Sequence, residues 1–226
     1  MDPKTNRKRP PRRAARKPAR LESPTRLYLI RHGEVEERYQ RVFGGRIDMN
    51  LSPIGQEQAS ALASYLQRVP FEMIYASPMK RARQTLERLA AMQSRLPVFV
   101  DDLREVDFGH WTGLGWEEVQ EKFQKSAFDW LDHLEKGIVP EAESARHFRR
   151  RVKGVLADVI RECPGKTVAL VCHGGVIRMA LSILLDIPLR KMAGFEVEYT
   201  SVTIVDHLPR KAEVQLLNFT PWRDQG

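Results

Sequence analysis

Two short apolar runs in this chain end in the same way. Leu27-Tyr28-Leu29-Ile30 leads into Arg31-His32-Gly33-Glu34, and Val168-Ala169-Leu170-Val171-Cys172 leads into His173-Gly174-Gly175. Apolar runs of this length closed by turn residues read as buried strands of a sheet covered by helices. A histidine placed just beyond each strand, one of them beside an arginine, points to an anion site that contains a nucleophile.

Length and composition allow the fold such a site needs. With 226 residues, 42% of them hydrophobic, the chain can bury one full core, and a second large domain is not expected. Its net charge of +8 is unevenly placed. Residues 1–24 hold nine lysines and arginines against Asp2 and Glu22, while the remaining 202 residues hold 28 basic against 27 acidic side chains. The folded part is therefore nearly neutral and loses the main electrostatic argument for nucleic-acid binding. The first 24 residues also contain Pro3, Pro10, Pro11, Pro18 and Pro24 and no periodic apolar face. They are expected to form a disordered basic arm capable of weak polyanion contacts, followed by a single domain over 25–226. The arm lacks the apolar run of a signal peptide and the serine-rich amphipathic pattern of a transit peptide. No stretch approaches the roughly 18 apolar residues of a membrane span. Cys163 and Cys172 are too few for a disulfide framework, so a reducing cytoplasm is the expected location.

Strand and helix patterns alternate along the chain, which predicts a three-layer α/β/α sandwich around a mostly parallel sheet. After a strand over 27–31, Ser52 and Pro53 mark a helix start, with Ala59, Leu62, Ala63 and Leu66 at helical spacing. A strand over 72–76, a helix carrying Ala82, Leu86 and Leu89 and a short strand over 97–100 follow. Helices are then expected over about 115–136 and 143–162, a strand over 167–172, a helix over 174–185, and strands over 198–206 and 213–218. This layout puts Arg31-His32, the Ser77–Arg81 segment and His173 at carboxyl ends of strands, where open α/β sheets bind ligands.

Four segments carry a further resemblance. Arg31-His32-Gly33-Glu34, then Ser77-Pro78-Met79-Lys80-Arg81-Ala82-Arg83-Gln84-Thr85, then Leu103-Arg104-Glu105-Val106-Asp107-Phe108-Gly109-His110-Trp111-Thr112-Gly113, then His173-Gly174-Gly175 stand in order. Together they resemble the motifs of the histidine phosphatase (phosphoglycerate mutase-like) superfamily over roughly residues 26–220. The resemblance implies that His32 attacks phosphorus and carries a phosphohistidine, and that Arg31, Arg81 and His173 hold the phosphoryl oxygens. Glu105 would protonate the leaving oxygen and then activate water. The neighbouring arginines favour the neutral, nucleophilic imidazole, since like charge lowers a histidine pKa. Arg38, Gly45 and Gly174 are assigned to the substrate pocket. Glu34, Glu36 and Glu37 are rival acids, and the motif selects Glu105. Helical spacing turns Arg83 away from Arg81. His110, His133, His147 and His207 lack metal-ligand spacing, so neither metal nor other cofactor is expected.

The chain also departs from the family pattern. Arg38 stands where many members have asparagine, Val35 where the mutases often have serine, and Pro140-Glu141-Ala142-Glu143-Ser144 has alanine in place of glycine. The stretch between Glu105 and His173 is short and rich in acidic residues, which disfavours an acidic mutase substrate. The expected activity is cofactor-independent hydrolysis of a small phosphorylated metabolite, a sugar phosphate or α-ribazole phosphate among the possibilities. A cofactor-dependent phosphoglycerate mutase and a non-catalytic phosphate-binding protein are the alternatives. The sequence leaves the oligomeric state open.

Overall fold

The computed structural model describes residues 23–93 and 96–224. All of the expected basic arm except Ser23 and Pro24 lies outside the described residues. Six strands form one sheet in the order β3-β2-β4-β1-β5-β6: β1 Thr25–Arg31, β2 Met73–Ala76, β3 Val98–Phe99, β4 Thr167–Cys172, β5 Val202–Leu208 and β6 Lys211–Phe219. The first four run parallel, and β5 and β6 add an antiparallel edge.

Alternation along the strands splits the core into two layers. Leu27 and Leu29 of β1 and Val168 and Leu170 of β4 pack with α5 Ala145–Glu162 and α6 Gly174–Leu184. Tyr28 and Ile30, with Ala169 and Val171, face α1 Pro53–Leu66 and α2 Lys80–Gln93. The three-layer α/β reading holds. Ser52 caps α1 as its sequence predicts, its hydroxyl accepting the Gly55 N–H at 2.9 Å.

Two expected elements are shorter than the sequence suggests. The helical stretch over 115–136 divides into α3 Trp116–Phe123, a 3-10 turn at Ala127–Asp129 and α4 Trp130–Glu135. Gln124 ends α3 in the left-handed region, at φ 54°, which a continuous helix does not permit. The strand expected over 198–206 begins only at Val202, because Thr200 turns the chain at φ 53° and leaves residues 196–199 as a loop. A short α7, Pro221–Asp224, follows β6.

Candidate active site

The parallel register of β1 and β4 sets Arg31 opposite Cys172, so the next residue of each strand must emerge beside the other. His32 and His173 accordingly stand with ring centroids 5.1 Å apart, and the His32 N–H donates to the Cys172 carbonyl at 3.0 Å. β2 lies on the far side of β4 and delivers Ser77, whose hydroxyl is 2.8 Å from Nε2 of His173. From the first turn of α2, Arg81 reaches between the two rings. Its Nε is 3.2 Å from Nε2 of His32 and 3.2 Å from Nδ1 of His173. The other guanidinium nitrogens donate to the carbonyls of Ile47 (2.7 Å) and Gly45 (3.0 Å), so the loop before α1 fixes the fork.

These contacts assign the tautomers. Nδ1 of His32 lies 2.8 Å from the Gly33 carbonyl, which can only accept, so that nitrogen carries the proton and Nε2 keeps its lone pair. His173 takes the opposite tautomer, with Nδ1 accepting from Arg81 and Nε2 donating to Ser77. Burial first, then the positive charges of Arg81 and Arg31, holds the His32 pKa well below its ordinary value. His173 is lowered for the same leading reasons, burial and then Arg81. Burial also lowers Arg81, to about 10, which leaves it a cation at neutral pH.

Arg31 donates from one terminal nitrogen to the Val197 carbonyl at 2.6 Å, and its guanidinium lies 4.1 Å from the centre of the Tyr199 ring. Glu105 enters from a loop rather than from a strand. Its two carboxylate oxygens accept the N–H groups of Val106 (2.9 Å) and Gly175 (3.0 Å). A β-carbon at position 175 would stand 2.4 Å from Oε1 of Glu105, so only glycine lets the acid approach this helix start. The loop itself is tied down by Arg151 of α5, which donates to the carbonyls of Asp102, Arg104 and Glu105 and forks onto Glu143 at 2.7 and 2.8 Å. Burial works against the charge on Glu143, but Arg151, with His147 and Arg46, outweighs it and the carboxyl pKa ends below its ordinary value.

Arg31, His32, Arg81, Glu105, Gly45 and Gly174 all line one cavity of about 450 Å³, and His173 lies beneath it through Arg81. Arg38 does not line it. Its side chain is 69% exposed, 3.6 Å from Glu36 and stacked on Tyr39 at 4.7 Å, so the pocket assignment for Arg38 is corrected. Of the rival acids, Glu34 accepts from Ser52 at 2.7 Å and Glu36 faces Arg38 and the Asn50 N–H, and neither lines the cavity. Arg83 points to the Pro78 carbonyl and the Phe99 ring. Trp111 is fully buried in the core, while Phe108 and Trp116 are cavity wall.

Sequence reasoning missed Arg178, Glu196, Glu198 and Tyr199, which also line the cavity. Arg178 carried a usable signal, since it follows Gly174 by four residues, one helical turn, on a helix otherwise free of charge. Glu198 carried none, because 198–206 reads as strand, and Glu196 stands in no motif. Among the described residues no group of three or more His, Cys, Asp or Glu side chains is placed to hold a metal ion, and no helix is long and apolar enough to cross a membrane.

Comparison with known proteins places this geometry. The family model described as histidine phosphatase superfamily, branch 1, matches residues 27–220. Phosphoserine phosphatase 1 of Hydrogenobacter thermophilus is 31% identical over 86% of this chain and 92% of its own length. Adenosylcobalamin/alpha-ribazole phosphatase of Escherichia coli is 27% identical, covering 85% of this chain and 95% of its own. Among solved structures, mycobacterial glucosyl-3-phosphoglycerate phosphatase superposes with a TM-score of 0.75 at 24% identity, over 86% of this chain and 98% of that one.

Proposed function

Given that the chain belongs to the histidine phosphatase superfamily, branch 1, and is a phosphomonoesterase of small phosphorylated metabolites, we propose that it works through a phosphohistidine on His32, with Glu105 as acid and base. The observation that carries this reading is Arg81 Nε set at 3.2 Å from both buried imidazoles. That arrangement keeps His32 neutral with its Nε2 lone pair free of a proton, and it aims a cation at the place where phosphoryl oxygens arrive.

In the first step Nε2 of His32 bonds to phosphorus, the ester oxygen departs with its electron pair, and Glu105 supplies that oxygen with a proton. The Nδ1-H tautomer of His32 needs no rearrangement for this, while Arg81 turns its Nε–H from Nε2 of His32 to the phosphoryl oxygens as they arrive. The Gly33 carbonyl holds the ring at 2.8 Å and stabilises the positive charge that develops on it. In the second step water bonds to phosphorus, Glu105 takes its proton, and the N–P bond breaks to return neutral His32 and inorganic phosphate. Arg31 and Arg81 act electrostatically throughout, and His173, neutral and bonded through both ring nitrogens, positions Arg81.

Rapid quench with labelled ester tests the proposal. The expected result is an acid-labile, base-stable phosphoenzyme in the wild type and none in His32→Ala, whose turnover falls by about four orders of magnitude or more. Substantial turnover by His32→Ala overturns it. The same quench run with 3-phosphoglycerate and 2,3-bisphosphoglycerate should release phosphate faster than it makes 2-phosphoglycerate.

A further inference from the structure

Arg178 is the single charged residue of α6. Helical side chains lean toward the amino terminus and stack on the residue four before, so Arg178 lies over Gly174 at the mouth of the helix. The space that Gly174 leaves open is used. A β-carbon there would stand 3.2 Å from a terminal nitrogen of Arg178 and 3.6 Å from Nε of Arg31. Two guanidiniums thus flank one glycine on the cavity wall. Nε of Arg178 and Nε of Arg31 are both buried without a hydrogen-bond partner. A desolvated cation with an unused donor is costly until an anion meets it.

That anion is not the phosphoryl group itself. The dianionic phosphoryl is matched in charge by Arg31 and Arg81, and Arg81 is the guanidinium that reaches both imidazoles. Arg178 responds to Arg31, Glu105, Glu196 and Glu198, after burial, which together leave its pKa at about 10 and the side chain charged. Arg178 therefore shares the Gly174 wall of the cavity with Arg31, one helical turn along α6. Glu198 faces the same cavity, half-buried, with its backbone N–H fixed on the Asn218 side chain at 2.7 Å. Glu196 is exposed. The cavity lining therefore offers both a cation and a carboxylate.

We propose that Arg178 and Glu198 form a zwitterion-reading subsite beside the phosphoryl site, Arg178 taking a carboxylate and Glu198 an ammonium of the alcohol that is released. The substrate class is then an O-phosphorylated amino acid. This rests on the phosphatase reading above and goes beyond it by naming what is esterified. Trp116 and Phe128 also line the cavity and are 43% and 71% exposed, so an apolar ester is the proper rival substrate.

The test measures kcat/KM of the wild type, Arg178→Met and Glu198→Gln on four esters: O-phosphoserine, phosphoethanolamine, phosphoglycolate and benzyl phosphate. A charge-assisted hydrogen bond lost in each variant sets the scale, about tenfold to a hundredfold. Arg178→Met should lower the ratio of O-phosphoserine to phosphoethanolamine by that factor. Glu198→Gln should lower the ratio of O-phosphoserine to phosphoglycolate. A purely structural role would depress all four esters alike. If Arg178→Met does not fold, Arg178→Lys keeps the charge without the fork and should lower the first ratio severalfold. Ratios unchanged in these variants, or a wild type that favours benzyl phosphate over O-phosphoserine, overturn the subsite while leaving the phosphatase reading intact. A wild type that hydrolyses none of the four overturns both.

Discussion

His32 and His173 hang from the last residues of two hydrogen-bonded strands, while Glu105 rides on a loop with no sheet neighbour. The two histidines are nearly buried, at 6% and 0% exposure, and their separation follows from strand register. Glu105 owes its place to contacts far away in sequence: the Gly175 amide, 70 positions on, and the Arg151–Glu143 pair that grips its loop. The proposed nucleophile and the proposed acid are thus held by different means. The floor is as rigid as the sheet, and the rim is as rigid as one ion pair.

Arg81→Met should break the floor most severely. On the proposed mechanism it removes two charge-assisted contacts to the phosphoryl group, a loss of about 4 kcal/mol in transition-state stabilisation or roughly a thousandfold in kcat/KM. Steady-state kinetics on any ester checks this, and a loss below tenfold would place the phosphoryl group elsewhere. Glu105→Gln acts at the rim and should depend on the leaving group. Alkyl phosphates should slow by about a hundredfold or more, and p-nitrophenyl phosphate, whose oxygen needs little proton assistance, far less. Equal losses on both would remove Glu105 from the acid role.

Arg151→Met tests whether one buried pair holds the rim. Leaving Glu143 with only His147 at 2.6 Å and Arg46 at 3.6 Å should cost up to about 3 kcal/mol of stability, read as a melting temperature lower by as much as roughly 6–12 °C in a chain of this size. Activity per folded molecule should fall with alkyl esters more than with p-nitrophenyl phosphate, because the displaced group is the acid. A uniform loss on both would mean that Arg151 supports the floor as well.

The smallest effect is a pH dependence that belongs to the floor. Burial and the arginines lower the pKa of His32 and His173 in the folded chain, so below the ordinary histidine value near 6.5 the unfolded chain binds more protons. Stability is therefore complete above about pH 6.5 and falls as pH drops, by at most about 1.4 kcal/mol per pH unit for each histidine. Melting curves between pH 7.5 and 5 should show this acid-side decline, to which His207, lowered by burial, adds, and His173→Gln should flatten it by about a third or more. A slope unchanged in that variant would show that His173 titrates as it does in the unfolded chain.

What the sequence alone determined about this protein is local in origin. The apolar runs at 27–30 and 168–172, the Ser52-Pro53 helix start and the residues just past each strand follow from periodicity and capping, which act over a few positions. The resemblance then named Arg31, His32, Arg81, Glu105 and His173. Only the tertiary structure decided the rest. Gln124 in a left-handed conformation divides the 115–136 stretch, and Thr200 turns a strand-like segment into cavity wall. Arg38 and Arg178 are both arginines in or near motifs, yet one lies in solvent and the other lines the cavity. Residue type does not separate them. The difference is which way each side chain leaves its backbone and what distant segment meets it there: the Glu196–Tyr199 loop, which lines the same cavity, for Arg178, and solvent and Glu36 for Arg38. Burial of charge is a property of that meeting, and it exists only once strands far apart in sequence have paired.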